Sequence, residues 1–325
     1  MTALLASLAV ALAVTGGVYV FSRRLEARYP AVGERVDVGP GCIHCVETPA
    51  QGQPRATVLL VHGASGNWSD LGEALADRLS AKGFRVISVD RPGHGWSDRL
   101  GRRREASSPN QQAAWIRAAL ERKGVGEAIV VAHSLAGVLG LAMALDSPKF
   151  VRGLLLLAPV SHPWPGGVAR YYQVAAARIV GPLFNWLIVP WFANLYLPFG
   201  IASVFAPQTT PDHYVERTRV KLLLRPWHFR VNAEDVVDIE AHVDRLHVHY
   251  GEIRVPTRVM TGDKDSVVYA HIHSTGCARD IPGAKLQVLE NVGHSPHYAN
   301  PEAVVAAIEE LDGRATVERE AAAAE

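Results

Sequence analysis

Four short apolar runs constrain this chain more than any other feature: residues 57–62 (TVLLVH), 85–90 (RVISVD), 128–132 (AIVVA) and 151–157 (VRGLLLL). Each is nearly continuous instead of alternating, as expected for strands covered on both faces. Between them, residues 68–82, 110–123 and 135–145 place apolar side chains at helical spacing, the first stopping at Gly83. Strands alternating with helices imply a mostly parallel sheet with helices on both faces. The rhythm returns late, with strands at 257–261 and 285–289, a helix near 271–279 and a last helix from Glu302. Residues 35–38 and 43–47 read as short strands around the turn Gly39-Pro40-Gly41.

Composition excludes several classes. A formal charge of +1 over 325 residues offers no basic face for nucleic acid. Three cysteines do not make a disulfide scaffold, and 48% hydrophobic residues exclude a disordered chain. Length alone suggests two domains, but the motifs below need one catalytic domain carrying an insertion.

Residues 3–21 contain no charge and would make ~28 Å of helix, close to the thickness of a bilayer's hydrocarbon layer. Arg23, Arg24 and Arg28 follow at once, as where a spanning helix meets headgroups. Residues 1–22 are therefore expected to form a single-pass membrane anchor. A signal peptide is the rival reading, although Met1-Thr2 lacks its basic n-region. The arginines favour a cytoplasmic C-terminal part, on thin grounds, so the side of the membrane stays open.

Residues 159–253 break the strand–helix rhythm and read as a cap inserted between two parts of the core, 34–158 and 254–312. Residues 179–211 carry no charge but include Trp186, Trp191, Phe192, Tyr196, Phe199 and Phe205. Pro182, Pro190, Pro198 and Pro207 each limit helix length there, which argues against a second span. The aromatic residues are expected mainly to pack the cap onto the core, with an acyl pocket or a lipid surface as alternatives. Residues 313–325 read as a loose tail.

The chemistry sits on loops after strands. Residues 128–137 (AIVVAHSLAG) run from strand through serine into helix, the context of a nucleophile elbow. A serine in so tight a turn needs small residues two before and two after it, and Ala132 and Ala136 comply. Residues 62–66 (HGASG) follow the strand 57–61. Acyl transfer needs two N–H donors where the oxyanion forms; Leu135, after the serine, and Ala64 are the candidates. Gly262-Asp263-Lys264-Asp265 and Val292-Gly293-His294 follow the last two strands. Together they give Ser, Asp and His in that chain order, with Asp263 and Asp265 both open as the acid.

On these motifs, and on the loop Asp90-Arg91-Pro92-Gly93-His94-Gly95-Trp96-Ser97-Asp98, the chain resembles the α/β-hydrolase superfamily, in its branch with a helical cap. The resemblance spans roughly residues 36–311. It implies Ser134 as nucleophile, His294 as base and, through the family's G-x-x-D spacing, Asp265 as acid. The alanines flanking the elbow depart from the family's glycines. Relatives that open epoxides or displace halide use aspartate at the elbow, so Ser134 implies hydrolysis of esters, thioesters or related acyl bonds. Carbon–carbon bond hydrolases and cofactor-free perhydrolases share the triad and stay as alternatives, as does a silent fold used for binding. Neither metal nor organic cofactor is implied. The expected partners are an apolar acyl substrate and a membrane. A single crossing within residues 179–211 would put Ser134 and His294 on opposite sides of the bilayer, which a triad forbids.

Other features read as structural. Cys42 and Cys45 have CxxC spacing, but in a strand their side chains point to opposite faces about 10 Å apart, too far for a disulfide. His247, His249, His271 and His273 are expected as scattered surface residues. His94 and His133 are read as belonging to loops that shape the site.

Overall fold

The computed structural model describes the backbone of residues 2–324 and the side chains of residues 13–103 and 105–316. Eight strands among them form one sheet: β1 (Glu34–Asp37), β2 (Cys42–Thr48), β3 (Thr57–Val61), β4 (Arg85–Val89), β5 (Ala128–His133), β6 (Val151–Leu157), β7 (Thr257–Gly262) and β8 (Lys285–Leu289). Their spatial order is β1-β2-β4-β3-β5-β6-β7-β8. β2 runs antiparallel to both neighbours, and every pairing from β4 to β8 is parallel.

The strand runs are apolar throughout because both faces are covered. Leu59, Val61, Ile87, Val130 and Leu154 enter one core, and Val58, Leu60, Val86, Ile129 and Leu155 enter the other. α1 (Thr2–Arg28) precedes the sheet, and α2 (Ser69–Ala81) covers the second core. α3 (Pro109–Arg122) and α4 (Ala136–Asp146) cover the first. α3 starts with Pro109 at its first position, and the Ser108 hydroxyl accepts from the Gln111 N–H, which satisfies one orphan donor. After β3 the chain moves to β4 on one side and then returns to β5 on the other. That reversal opens a crevice at the carboxyl ends of the strands, where ligands bind in such sheets.

Between β6 and β7 lie α5 (Arg170–Ala176), α6 (Val180–Leu187), α7 (Asn194–Phe205) and the long α8 (Pro226–Leu246). α6 and the segment Val189–Phe205 are bent by 45°, with Pro190 at the break and Pro198 inside α7. Phe205 is buried against Tyr214 and Tyr298, as the packing role predicts. Most of the run does otherwise: Trp191, Phe192, Leu195, Tyr196 and Phe199 are exposed, Phe199 at 72%. The expectation that these side chains mainly pack the insertion onto the core is therefore corrected.

Two other expectations change, for residues 313–325 and for His273. The side chains of the first twelve residues of the expected anchor, 1–22, lie outside the described residues. Among the described residues no single helix is long and apolar enough to cross a membrane. The end of α1 instead packs on the insertion: Leu25 and Tyr29 meet Leu222 and Leu224, and Arg225 donates to Glu26 at 3.1 Å. The last helix, α10, following α9 (His273–Asp280), spans Pro301–Ala324 and runs through Gly313, where a loose tail is expected. Arg152 holds the extension, donating to Asp312 at 2.9 Å and to Thr316 at 2.8 Å. His273 is buried rather than on the surface, its Nδ1 accepting from the Ser161 and His162 N–H groups.

Candidate active site

β5 ends at His133, and Ser134 turns the chain into α4 with a φ of +55°. An L-residue held there costs about 1–3 kcal/mol and persists only where its surroundings fix it. They do: the Ser134 N–H donates to Leu157 O at 2.9 Å, and its carbonyl accepts from Gly137 and Val160. Ala132 and Ala136 are fully buried beneath the turn. Two glycines allow close approach: a Cβ on Gly63 would sit 2.9 Å from Ser134 Cβ, and one on Gly137 2.4 Å from Pro159 Cβ.

The loops after β7 and β8 bring their side chains to this turn. His294 Nε2 lies 2.8 Å from Ser134 Oγ, and its Nδ1 lies 2.8 Å from Asp265 Oδ2. Asp265 Oδ1 accepts from the N–H groups of Val267 and Val268 at 2.8 and 2.9 Å, so the carboxylate is held at both oxygens. Asp263, two residues earlier, points away and pairs with Lys264 at 3.1 Å. Geometry thus separates two aspartates that the sequence leaves together. A hydroxyl, an imidazole and a buried carboxylate in this order can take a proton from the oxygen and stabilise the imidazolium that results.

The backbone N–H groups of Ala64 and Leu135 have no acceptor among the described residues. Ala64 belongs to the loop that Gly63 brings against Ser134. His62 anchors that loop: its Nε2 accepts from the Arg91 N–H at 3.0 Å, so its Nδ1–H faces Gly63 O at 2.8 Å. Burial, with Arg91 nearby, pushes the His62 pKa down to about 4, which keeps the ring neutral.

The sequence did not reveal what holds this loop from above. Asn232, on α8, accepts at 2.6 Å from the Ser65 N–H and donates to Ser65 Oγ at 3.2 Å. One turn on, Asp235 accepts at 2.8 Å from both Arg91 and Arg99. Arg91 is 1% exposed and also meets Gln112 and His94. The only sequence signal was a polar pair at i, i+3 on an otherwise amphipathic helix. Cys42 and Cys45 lie on β2 as free thiols, and burial raises Cys45 to about 12.

A parallel sheet with a serine, a histidine and an aspartate at its strand ends defines a hydrolase of the α/β type. Residues 58–307 match the alpha/beta hydrolase family, and the chain belongs to it. It is 33% identical over 284 residues to the magnesium-chelatase 30 kDa subunit of Rhodobacter capsulatus, covering 85% of this chain and 93% of that one. It is 24% identical over 265 residues to a 2-hydroxy-6-oxononadienedioate/2-hydroxy-6-oxononatrienedioate hydrolase of Cupriavidus pinatubonensis, covering 80% and 87%. In fold it is similar to an esterase from Exiguobacterium antarcticum, at a TM-score of 0.66 and 19% identity over 87% of this chain and all of that one.

Proposed function

We propose that this hydrolase cleaves carboxylic esters or related acyl bonds of an apolar substrate, with Ser134 as nucleophile, His294 as base and Asp265 as its orienting acid. The observation that carries this reading is the continuous hydrogen-bonded chain Ser134–His294–Asp265, with two links of 2.8 Å. His294 Nε2 takes the hydroxyl proton as Oγ attacks the carbonyl carbon. The N–H groups of Ala64 and Leu135 receive the oxyanion. The imidazolium, steadied by Asp265, returns the proton to the leaving alcohol, and water repeats the cycle on the acyl-enzyme.

An apolar substrate, delivered from a lipid surface, accounts for the exposed side chains of the insertion. Ile179, Leu183, Leu195, Tyr196 and Phe199 lie on an uncharged stretch and are each more than 60% exposed, as at surfaces that meet a lipid or an apolar partner. In the same reading residues 1–22 anchor the chain to the membrane, their uncharged run ending at Arg23 and Arg24.

The relative from C. pinatubonensis favours a second reading, in which the same serine hydrolyses a 2-hydroxy-6-oxo-dienoate. The magnesium-chelatase name of the R. capsulatus relative designates an assembly and not a bond, so it does not choose between reactions.

A fluorophosphonate probe tests the nucleophile. It should label the wild type and not Ser134→Ala, and a folded wild type that resists labelling returns the chain to a binding role. An ester chain-length series run beside a 2-hydroxy-6-oxo-dienoate tests the substrate. Preference for short soluble esters removes the apolar clause, and faster turnover of the dienoate selects the second reading.

A further inference from the structure

Behind the triad, on the far side of His133, three side chains converge that the hydrolysis does not use. Asp70 comes from the first turn of α2, His133 from the last residue of β5, and His297 from the helical turn Pro296–Ala299. Each is more than nine-tenths buried. Asp70 Oδ2 lies 3.9 Å from His133 Nδ1 and 3.7 Å from His297 Nε2, and one ligand atom of each residue lies within 4.8 Å of the other two.

The protons show why this arrangement is incomplete. His133 Nε2 faces the carbonyl oxygen of His294 at 2.9 Å and must donate to it. Its Nδ1 therefore presents a bare lone pair toward the carboxylate. Among the described residues neither that nitrogen nor either nitrogen of His297 has a hydrogen-bond partner, His297 Nε2 standing 3.7 Å from Asp70 Oδ2. The buried lone pair of His133 Nδ1 and the Asp70 carboxylate face each other, and a cation between them would satisfy both.

We propose that Asp70, His133 and His297 form a metal site for a zinc-like divalent ion, which clamps the loop of His294 to α2. Two imidazole nitrogens and one carboxylate oxygen suit zinc, which leaves the fourth position of its tetrahedron for water. Bonds of that length put ligand atoms about 3.4 Å apart, so the two contacts to Asp70 close by about half an ångström or less and the two imidazoles by at most about 1.4 Å. The outer contacts are those such ligands need. Tyr214 donates to Asp70 Oδ1 at 2.9 Å, and His133 is oriented by its bond to the His294 carbonyl. A surface cleft of about 210 Å³, lined by Glu73, Arg78, Asp212, Tyr214, Arg217 and His297, abuts the site at His297. The site adds a metal to a chain whose motifs imply none.

The test uses the full-length protein, stripped with a chelator and titrated with Zn²⁺ or Co²⁺. The expected result is uptake of one ion per chain, with a rise in melting temperature that Mg²⁺ does not reproduce. Asp70→Asn and His297→Gln should lose that uptake. Tyr214→Phe should weaken it by about 10- to 100-fold. No stoichiometric uptake by the wild type overturns the proposal, as does undiminished uptake in both ligand variants. Should the variants not fold, the Co²⁺ spectrum of the wild type decides. Tetrahedral nitrogen and oxygen ligation supports the site, and a thiolate charge-transfer band overturns it by moving the ion to a cysteine.

Discussion

Asn232, in the second turn of α8, accepts a 2.6 Å hydrogen bond from the backbone N–H of Ser65, the neighbour of Ala64. A residue of the insertion therefore sets the position of the core loop that carries Ala64, the proposed oxyanion donor. Asn232→Leu removes the acceptor and leaves a partly buried N–H unmet, at a cost of about 1 kcal/mol or more. The expected result is a fall in kcat of about tenfold with a smaller change in KM, since alignment and not affinity is lost. Asn232→Asp keeps the acceptor and should restore most of the rate. Steady-state kinetics on one ester separates the two.

Arg91 and Asp235 join the same two parts of the molecule beneath the surface, with both side chains at most 2% exposed. Asp235→Ala strands the guanidinium and should lower stability by roughly 3–5 kcal/mol. The double variant Arg91→Met/Asp235→Leu removes both charges and should recover much of that loss. Denaturant unfolding of the two proteins measures the difference. A double variant as unstable as the single one would show that the charge itself is not the cause.

The two aspartates after β7 should behave differently. Asp265→Asn keeps the shape but presents the wrong partner to His294 Nδ1, and should lower kcat by about 10⁴. Asp263→Asn loses an exposed pair with Lys264 and keeps an oxygen for the backbone of Asn291 and Val292, and should stay within about twofold of the wild type. Equal losses would remove Asp265 from its assigned role.

Acid should unfold this protein earlier than its carboxylates require. Burial is the main cause that depresses His62 and His273 from 6.5 to about 4. The unfolded chain takes up these protons near 6.5 and the folded chain does not, so stability falls as pH drops from 6.5 toward 4. Each ring contributes roughly 1 kcal/mol per pH unit in that window. Melting temperatures across pH 4–8 measure the slope, and replacing His273 with Gln should make it shallower.

The exposed apolar face gives a further test. Leu195→Glu with Phe199→Glu should reduce binding to phosphatidylcholine vesicles by at least about tenfold. Both side chains are mostly solvent-facing, so the melting temperature should not move. Unchanged vesicle binding would remove this face from any lipid contact.

Much of this was legible in the sequence for a physical reason: doubly covered strands leave continuous apolar runs, and tight turns demand small residues. Hence β3 to β6 fell where the runs did, and Ser134 and His294 met where the strand-end loops converge. What stayed hidden depends on distance along the chain. Composition alone does not distinguish Asp265 from Asp263, and only the G-x-x-D resemblance favours the former. Nothing near Arg91 points to Asp235, 144 positions away. The continuation of α10 past Gly313 was missed because its partner, Arg152, lies on another strand. The aromatic run was misjudged because composition records how apolar a segment is, not which way it faces.

Residues Leu154 to Leu157 pair in parallel register with Thr257 to Met260, although the whole insertion separates them in sequence. The sheet therefore closes whatever the intervening polypeptide contains, and closing a longer loop costs only logarithmically more entropy. Descendants of this chain can exchange that module like a cassette, changing what is gripped and from which phase it is gathered. Asn232, Asp235 and Tyr214 are among the sockets that a replacement would have to reproduce.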